Sequence, residues 1–459
     1  MPEANGIGAY AAYLPSYVLT DNQIDGARSA RPGGPARSVA AYDEDSVTMA
    51  VEALRGLVDE TTRGPLLLAS TSAPYAVKTS AGIVHAALGL DPSVRATDLH
   101  GHRAGATALD LVLRLGATAA ASDLRGTRPG APDELAQGDA AAAFAPGDAV
   151  RLLASAGRTT ELLERWRLPG EQHDRVWDER FTAEVLVEAA SAAASAALAE
   201  AGVEAVDHVV VSSSNARAAA ALRRRLGGSG ADAAVERQVG FTGAAHPGLL
   251  LAATLDVAEP GQTVLLLSAT EGADAFVLRV ADGIEDARRS PAVADQLAGR
   301  ASVGYGRYLR WRGLLDVQGP ARPAAPAPAA PPMYRREGWK YRLEGSRCEA
   351  CGAVSTPPSR VCAGCGTLGG DGTGKVSLRD AFATVVSVTE DHLTTMPEAS
   401  VAVVVADVEG GGRLTGYATD IRPSEVQVGM TVRPTFRRMW TTDGIHNHFW
   451  KLRPWEGNR

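Results

Sequence analysis

The first 315 residues alternate between short apolar runs and longer segments in which apolar positions recur at helical spacing. Four runs have the composition of strands, at 6–19 (which includes a turn), 65–70, 94–103 and 141–145. Between them the spacing predicts helices at 43–57, 79–88 and 104–115. Because strands that are apolar throughout are buried on both faces, this alternation predicts an α/β protein with a parallel or mixed sheet.

The same order of elements then occurs a second time. It comprises a long helix at 181–201, a strand at 206–212, an apolar helix ending near 255, and strands at 264–269 and 275–280. An internal repeat of this kind predicts two similar halves facing each other across a pseudo-two-fold axis. The alternative is a pair of unrelated α/β domains.

Each half contains one strand-to-helix elbow, at 98–105 and at 238–246, and the two-fold axis would direct both helix N-termini toward one shared site. In the first elbow, Arg103 stands at a helix N-terminus, where the macrodipole disfavours a cation by roughly 0.3–1 kcal/mol. Arg103 therefore either pairs with Asp98, Asp139 or another acid, or helps the helix terminus to bind an anion.

Histidines occur in both elbows. His100 and His102 are alternate residues of an extended stretch, so their side chains share one face. His246 lies about one turn into the second helix, from which it could act as a general base near neutral pH. The alternative for each is a histidine that only satisfies a neighbouring group.

The chain changes character after residue 318. Residues 319–332 are rich in proline and alanine and predict a semi-rigid polyproline-type linker. Two CxxC pairs follow, ten residues apart, and they contain every cysteine of the chain: Cys348, Cys351, Cys362 and Cys365. Four thiolates at this spacing predict a closed, structural zinc site rather than a catalytic one. Disulfides are the alternative, which a cytosolic protein disfavours.

Five short β-rich runs occupy the C-terminal part, at 382–388, 401–408, 413–417, 431–437 and 448–452. Five strands in so short a segment predict a small closed barrel of the OB type. Many such barrels bind nucleic acid through a basic, aromatic-rich face. This segment offers little of that face, so we expect no nucleic-acid partner.

Charge and length agree with this picture. A net charge of −7 and a pI near 5.8 disfavour a nucleic-acid binder, and 459 residues exceed the size of one domain. We found no uncharged apolar run of membrane-spanning length and no basic, then apolar, N-terminal signal. We therefore expect a cytoplasmic protein without a membrane partner.

Several local motifs resemble those of known proteins. Residues 1–315 resemble the thiolase superfamily, nearest to archaeal-type 3-hydroxy-3-methylglutaryl-CoA synthase and ketoacyl-ACP synthase III. Residues 336–455 resemble the zinc-ribbon and OB-fold acyl-CoA-associated proteins that accompany thiolase-like enzymes. Besides the two elbows and the CxxC pairs, the resemblance rests on Asp43-Glu44-Asp45 with Thr48, Ser72-x-Pro74-Tyr75-Ala76-Val77-Lys78, Gly138-Asp139-Ala140-Ala141, Leu343-x-Gly345-x-Arg347 and Pro357-Pro358.

The resemblance implies a duplicated, five-layered αβαβα thiolase fold followed by a zinc ribbon and a small β-barrel. The implied boundaries are 1–165 and 166–318 for the two thiolase-like halves, 319–335 for the linker, 336–370 for the ribbon and 371–459 for the barrel. It also implies a homodimer, a possible thiolase-like partner, and coenzyme A as part of the substrate.

The catalytic residues of that family do not recur here. The family's nucleophilic Cys matches Arg103, its His matches Ser212, its Asn matches Phe241 and its acid/base Glu matches Thr71. Because the first 347 residues contain no cysteine, no cysteinyl acyl-enzyme can form there.

The remaining polar groups supply the candidates for a site. The catalytic candidates are Arg103, His102, His246, Ser212 and Asn215; the candidates for substrate binding are His100, Thr71, Phe241 and Thr242. Three functions stay open. The first is aldol or retro-aldol chemistry on a CoA thioester, which needs a base and enolate stabilisation but no thiol. The second is a non-catalytic scaffold or acyl-CoA-binding subunit, and the third is an acyltransferase that uses a partner's thiolate. We do not expect a standard HMG-CoA synthase.

Overall fold

The computed structural model describes residues 5–24, 34–228, 230–318, 323, 325–369 and 374–455. It divides into two compact units. The first consists of Met1–Ala41, Asp45–His85 and Leu90–Leu315, and the second of Tyr42–Glu44, Ala86–Gly89 and Asp316–Arg459.

The elements of the first 315 residues are thirteen strands and eleven α-helices within the described ranges. The strands are β1 Gly6–Tyr13, β2 Tyr17–Thr20, β3 Ala36–Val39, β4 Leu66–Ser70, β5 Ala96–His100, β6 Thr118–Asp123, β7 Ala140–Thr159, β8 Arg165–Trp166, β9 Arg175–Val176, β10 His208–Ser213, β11 Thr263–Ala269, β12 Gly272–Val280 and β13 Ala301–Ser302. The helices are α1 Asp21–Ile24, α2 Ser46–Leu54, α3 Ala81–Leu88, α4 Ala104–Leu115, α5 Glu179–Ala201, α6 Ala216–Leu226, α7 Ala231–Val239, α8 His246–Leu255, α9 Ile284–Ala287, α10 Val293–Ala298 and α11 Tyr305–Trp311.

The main sheet has eight strands in the order β10-β11-β12-β7-β6-β4-β5, and β1 pairs with β7 as well. Strand β4 is parallel to β5 and β6, and β10 is parallel to β11, whereas β7 is antiparallel to its neighbours β1, β6 and β12. The prediction of a mixed α/β sheet is therefore confirmed. The sequence did not predict β6, because its run Thr-Ala-Ala-Ala-Ser-Asp lacks the branched and aromatic residues typical of strands.

Strand β7 is the longest of the sheet, with 20 residues, although the sequence predicted a strand only at 141–145. Its first residues, 140–144, pair with β6, and residues 150–159 pair with β12. One continuous strand thus belongs to the sheet of both halves.

The two halves share an order of elements. The first runs α2-β4-α3-β5-α4-β6-β7 and the second runs α5-β10-α6-α7-α8-β11-β12. Where the first half has β5, the second has α7 followed by a single bridge between Gln137 and Phe241. The charged helix-forming sequence Ala-Asp-Ala-Ala-Val-Glu-Arg-Gln-Val explains this substitution of a helix for a strand. The five-layered arrangement stays a prediction.

The long helix α5 is the one described helix whose length and composition would allow it to cross a membrane. Its alanine-rich face, including Leu186, Ala190 and Ala197, is buried, and the helix packs against β7, β11 and β12. These contacts are those of a core helix that covers a sheet.

The second unit contains a ribbon and a β-sheet. Its elements are α12 Ala330–Arg335, α13 Glu337–Arg342, β14 Glu344–Arg347, β15 Val354–Ser355, β16 Lys375–Ser377, β17 Ala383–Asp391, β18 Val401–Val408, β19 Arg413–Tyr417, β20 Thr431–Thr442 and β21 Ile445–Pro454. All five predicted C-terminal strands occur as β17–β21, in the antiparallel order β19-β18-β17-β20-β21.

The predicted linker is corrected at its end. Residues 330–335 form α12 instead of extended polyproline structure. The helix tolerates prolines in its first turn, because the backbone N–H groups there have no partner within a helix and their absence costs no hydrogen bond. Linker residues 319–322 and 324 lie outside the described residues, as do residue 370 of the predicted ribbon and residues 371–373 and 456–459 of the predicted barrel.

Candidate functional site

The two elbows meet at their helix N-termini. Gly105, in the first turn of α4, lies so close to the second elbow that a Cβ on it would fall 1.8 Å from the carbonyl oxygen of Ala244. Ala244 belongs to a short 3₁₀ turn, Gly243–Ala245, that leads into α8. Only glycine permits this approach, so the absence of a side chain at Gly105 allows α4 of the first half to pack against the elbow of the second half.

A buried carboxylate that the sequence analysis did not single out, Asp123, organises this region. Its Oδ1 accepts hydrogen bonds from Ser70 Oγ at 2.9 Å, Thr71 N at 2.6 Å, and Ser72 N and Oγ at 3.1 and 3.0 Å. Its Oδ2 accepts from Thr71 Oγ1 at 2.9 Å and from Ala244 N at 2.7 Å. Asp123 thereby ties the end of β4 to the second elbow. The signal available in the sequence was an acid directly after an apolar run.

Arg103 forms an ion pair. Its Nε and Nη2 donate to the two carboxylate oxygens of Asp274, each at 2.8 Å, and Nη1 donates to Thr159 Oγ1 at 2.8 Å. The hydrogen bond with Asp274 raises the pKa of Arg103 despite its partial burial. The sequence left two alternatives for Arg103, pairing with an acid or binding an anion. The observed geometry is that of a guanidinium paired with an acid.

Neither Asp98 nor Asp139, the two acids named in the sequence analysis, is the partner of Arg103. Asp98 accepts the backbone N–H groups of Ser80 and Ala81 at 2.6 and 2.7 Å. Asp139 accepts the N–H groups of Ala40 and Arg125, each at 2.7 Å. Asp98 therefore supports a loop of the first half, and Asp139, which also pairs with Arg312, connects the first half to the second.

Two imidazole rings flank the ring of Phe241. The ring centroids of His102 and Phe241 are 6.1 Å apart, and those of Phe241 and His246 are 4.9 Å apart. The guanidinium of Arg125 lies 5.8 Å from the same Phe241 centroid. The structure thus brings three of the predicted site residues together.

Both imidazoles are neutral at physiological pH. Burial, followed by the charges of Arg125, Arg165 and Arg167, holds the pKa of His102 well below its usual range. Burial lowers the pKa of His246 to about 3. Complete burial disfavours the imidazolium, so His246 is a weaker base than the general base near neutral pH that the sequence suggested.

Three candidate residues carry a buried polar atom without a hydrogen-bond partner among the described residues: His102 Nδ1, His246 Nε2 and Ser212 Oγ. The other nitrogen of His246, Nδ1, lies 3.3 Å from the backbone N–H of Thr242, which can only donate. Nδ1 is therefore an acceptor and the proton resides on Nε2. A buried N–H without an acceptor is costly, so this position favours a ligand oxygen.

The remaining candidates have their hydrogen-bonding capacity used within the protein, or lie at the surface. Thr71 Oγ1 donates to Asp123 and accepts from Arg125 Nη1 at 2.8 Å. Asn215 is the N-cap of α6: its Oδ1 accepts from Arg217 N and Ala218 N, and its Nδ2 donates to Glu179 O and Thr182 Oγ1. His100 is exposed at the end of β5.

The four cysteines of the second unit form one cluster. Their Sγ atoms all lie within 4.8 Å of one another, with 3.7 Å between Cys348 and Cys365 and 3.6 Å between Cys351 and Cys362. Zn–S bonds of about 2.3 Å in a tetrahedron require S–S distances of about 3.8 Å, so the cluster fits a zinc ion with four thiolate ligands. Each CxxC pair is followed by a glycine with a left-handed backbone, Gly352 and Gly366, whose N–H bonds back to the first cysteine's carbonyl.

Comparisons with known proteins agree with these features. Residues 340–369 match the family described as ChsH2, rubredoxin-like zinc ribbon domain. A hydroxymethylglutaryl-CoA synthase of Archaeoglobus fulgidus is 32% identical over 341 residues, which are 67% of this chain and 98% of that protein. The synthase of Methanopyrus kandleri is 31% identical over 345 residues, which are 68% of this chain and 98% of that protein.

Solved structures extend the comparison to the fold. An HMG-CoA synthase complexed with CoA superposes with a TM-score of 0.57 at 19% identity, over 66% of this chain and 89% of that one. PksG, an HMG-CoA synthase from Bacillus subtilis, gives a TM-score of 0.59 at 16% identity, over 67% of this chain and 88% of that one. The mixed sheet therefore has a thiolase-like fold, joined in one chain to a zinc ribbon. The chain belongs to the hydroxymethylglutaryl-CoA synthase family.

Proposed function

We propose that the chain binds an acyl-CoA thioester and makes or breaks a carbon–carbon bond by aldol or retro-aldol chemistry, without a cysteinyl acyl-enzyme. One observation carries the proposal: the two neutral imidazoles of His102 and His246 flank Phe241 where the elbows meet, and each has a buried nitrogen without a partner. The relatives are HMG-CoA synthases, and the cysteine-free first 347 residues exclude the thiol route.

The two imidazole rings have different roles in this proposal. In the condensation direction, His102, whose ring is neutral and, unlike that of His246, not completely buried, takes a proton from the carbon next to the thioester, and the resulting enolate attacks a carbonyl carbon. The alkoxide so formed takes up the proton, which restores His102. The Nε2–H of His246 donates to the thioester oxygen while it carries negative charge, as neutral imidazoles can. Cleavage is the same sequence in reverse.

The test is turnover by the purified chain alone. We expect it to interconvert a β-hydroxyacyl-CoA with its acyl-CoA and carbonyl fragments, measured by chromatography of the CoA esters. His102→Gln and His246→Asn should each lower the rate by about 10²–10⁴-fold. His208→Gln is the matched control, because His208 bonds to Gln262 outside the site. Full activity in both site variants would refute the assignment.

A non-catalytic, acyl-CoA-binding role is the second candidate. The observation that favours it is that Thr71, Arg103 and Asn215 have their polar atoms engaged within the protein. This role predicts CoA binding by calorimetry without turnover, and activity only when a thiolase-like partner is added. Labelled acyl transfer to that partner's cysteine would instead identify an acyltransferase that uses a partner's thiolate.

We also propose that β17–β21 close into an OB barrel and that the ribbon holds structural zinc. The parallel bridge between Ala418 and Leu452, beyond the end of β19, supports closure because it joins the two outer strands of the sheet. Four thiolates leave no open position for a substrate, and they persist in a reducing compartment such as the cytoplasm.

A homodimer is part of the proposal. Strand β5 lies at the edge of the main sheet and pairs with β4 alone among the described strands. An edge strand offers unpaired N–H and C=O groups to a second copy, and the sheet would continue across the two-fold axis.

A further inference from the structure

A short hairpin lies against the candidate site. Its strands β8 and β9 are joined by only two residue pairs, Arg165 with Val176 and Trp166 with Arg175. We call residues 165–176 the hairpin. Its outward residue Leu168 is 53% exposed, and the adjoining Trp177 is 62% exposed. So few backbone pairs and so much exposed apolar surface indicate an element whose position depends on its side-chain attachments.

Those attachments are ionic and converge on Asp174. This carboxylate, on the hairpin and only 6% exposed, forms an ion pair with Arg125 of the first half. Two guanidiniums of the hairpin itself also lie near it, Arg167 Nη1 at 3.5 Å and Arg165 Nη1 at 4.0 Å. Arg165 in turn pairs with Asp133 at 3.0 Å. Three buried or half-buried guanidiniums thus lie within ion-pair distance of the one carboxylate of Asp174.

The hairpin contacts one candidate residue, Thr71, and its charges lie near a second, His102. Arg167 Nη2 donates to the carbonyl oxygen of Thr71, and Arg125 Nη1 donates to its hydroxyl at 2.8 Å. The positive charges of Arg125, Arg165 and Arg167 also lower the pKa of the buried His102 imidazole. At the hairpin's turn the backbone is close to the body as well, since a Cβ on Gly126 would lie 2.3 Å from Gln172 O.

We infer that the hairpin is a lid over Thr71 and His102, and that Asp174 is the latch that holds it closed. With Asp174 in place, its carboxylate offsets part of the positive charge of the three arginines and draws the hairpin onto Arg125. Without it, three like charges face one another and only Asp133 remains as a counter-ion within ion-pair distance in the described structure. Opening then exposes the candidate site. The inference concerns access and is independent of which reaction takes place there.

The experiment compares two carboxylate-to-amide variants of the same hairpin. Asp174→Asn removes the latch, whereas Glu171→Gln is the matched control, because both partners of Glu171, Arg175 and the N–H of Leu168, belong to the hairpin and the amide oxygen of Gln can still accept from that N–H. Hydrogen exchange of the amides of 166–176 reports opening, and exchange of β11 reports the integrity of the fold. We expect exchange in the hairpin to accelerate at least about tenfold in Asp174→Asn, which corresponds to about 1.4 kcal/mol, and to stay unchanged in Glu171→Gln.

A second measurement reports access to the site itself. His102→Cys places a single thiol under the hairpin, and the chain's own cysteines are confined to 348–365, so the unsubstituted chain gives the background. Alkylation of Cys at 102 by iodoacetamide should be faster in the Asp174→Asn background than in the Glu171→Gln background. Equal rates in the two backgrounds, or a hairpin that opens without faster alkylation, would overturn the inference. If Asp174→Asn does not fold, Arg125→Gln removes the partner of Asp174 in the first half, and the same outcomes decide.

Discussion

The guanidinium of Arg103 and the carboxylate of Asp274 share two hydrogen bonds of 2.8 Å, and their side chains are 22% and 19% exposed. A two-bond pair in this setting fixes the first elbow to β12. Gly157 lies beside it, where a Cβ would be 3.2 Å from Asp274 Oδ1. Arg103 is therefore engaged in an ion pair within the protein.

We predict that Asp274→Asn lowers the free energy of unfolding by about 1–2 kcal/mol, because it leaves a half-buried guanidinium without its counter-ion. Urea unfolding of the chain measures this change. Asp407→Asn is the control, since Asp407 and Arg413 form a similar pair with side chains 48% and 61% exposed, and should show no measurable change. Equal effects of the two substitutions would contradict the role assigned to Asp274.

His246 makes the stability of the fold depend on pH. Its pKa falls from 6.5 in the unfolded chain to about 3 in the folded one. Stability from this residue is complete above pH 6.5 and is lost as the pH falls toward 3, because only the unfolded chain then takes up the proton. Between pH 7 and pH 5 the loss amounts to about 2 kcal/mol.

The variant His246→Asn keeps an acceptor for Thr242 N and removes the titration. Between pH 7 and pH 5 the free energy of unfolding should fall for both proteins. We expect the fall to be about 2 kcal/mol smaller in His246→Asn than in the unsubstituted protein. Parallel pH dependence of the two proteins would show that the buried imidazole does not resist protonation.

At the scale of elements, the contact between α4 and the second elbow depends on one missing side chain. We predict that Gly105→Ala destabilises the protein by about 1–3 kcal/mol or more, because its Cβ would overlap Ala244 O. Gly82→Ala is the matched control: Gly82 also lies in a helix, but its Cβ would have nothing within 4 Å. That substitution should stabilise by roughly 0.5–1 kcal/mol. In thermal unfolding, Tm should fall in Gly105→Ala and rise in Gly82→Ala.

The zinc ribbon gives a second prediction for an element. Cys348→Ser should abolish stoichiometric zinc, measured by metal analysis, and should increase proteolysis between residues 344 and 369, because metal binding supplies the folding free energy of such small elements. The exchange of β11 amides should remain unchanged. Retention of a full equivalent of zinc would contradict a site made of four thiolates.

The sequence predicted elements well where a strong local signal exists. Helix α4 was predicted with its observed bounds, 104–115, and it ends at Gly116, whose backbone is left-handed. The local sequence did not reveal β6 or the length of β7, because an alanine-rich strand has no distinctive periodicity.

The candidate site was only partly predictable. His102, Phe241 and His246 were named from the two elbows, which the fold brings together. Asp123, Arg125 and Asp174 were missed, because charged residues at the ends of strands and in hairpins gain a role only from partners distant in sequence.

At the scale of the whole molecule, the proposed homodimer predicts that the open edge at β5 decides the oligomeric state. Thr97→Lys places a charge in the middle of the exposed edge, so two copies would bring like charges together. We predict a change from dimer to monomer in light scattering. Thr415→Lys, at an exposed position of β19 in the second unit, is the control and should leave the mass unchanged. An unchanged mass in Thr97→Lys would indicate that copies do not associate through β5.

Strand β7 has a consequence for how the protein is made. Because its first residues pair with β6 and its last pair with β12, which follows more than 100 residues later, its second part has no β12 to pair with until 272–280 has left the ribosome. The first half therefore emerges with an unpaired strand edge, a feature that invites aggregation or binding by a chaperone. Because β7 belongs to the sheet of both halves, we expect that neither half folds stably when it is produced without the other.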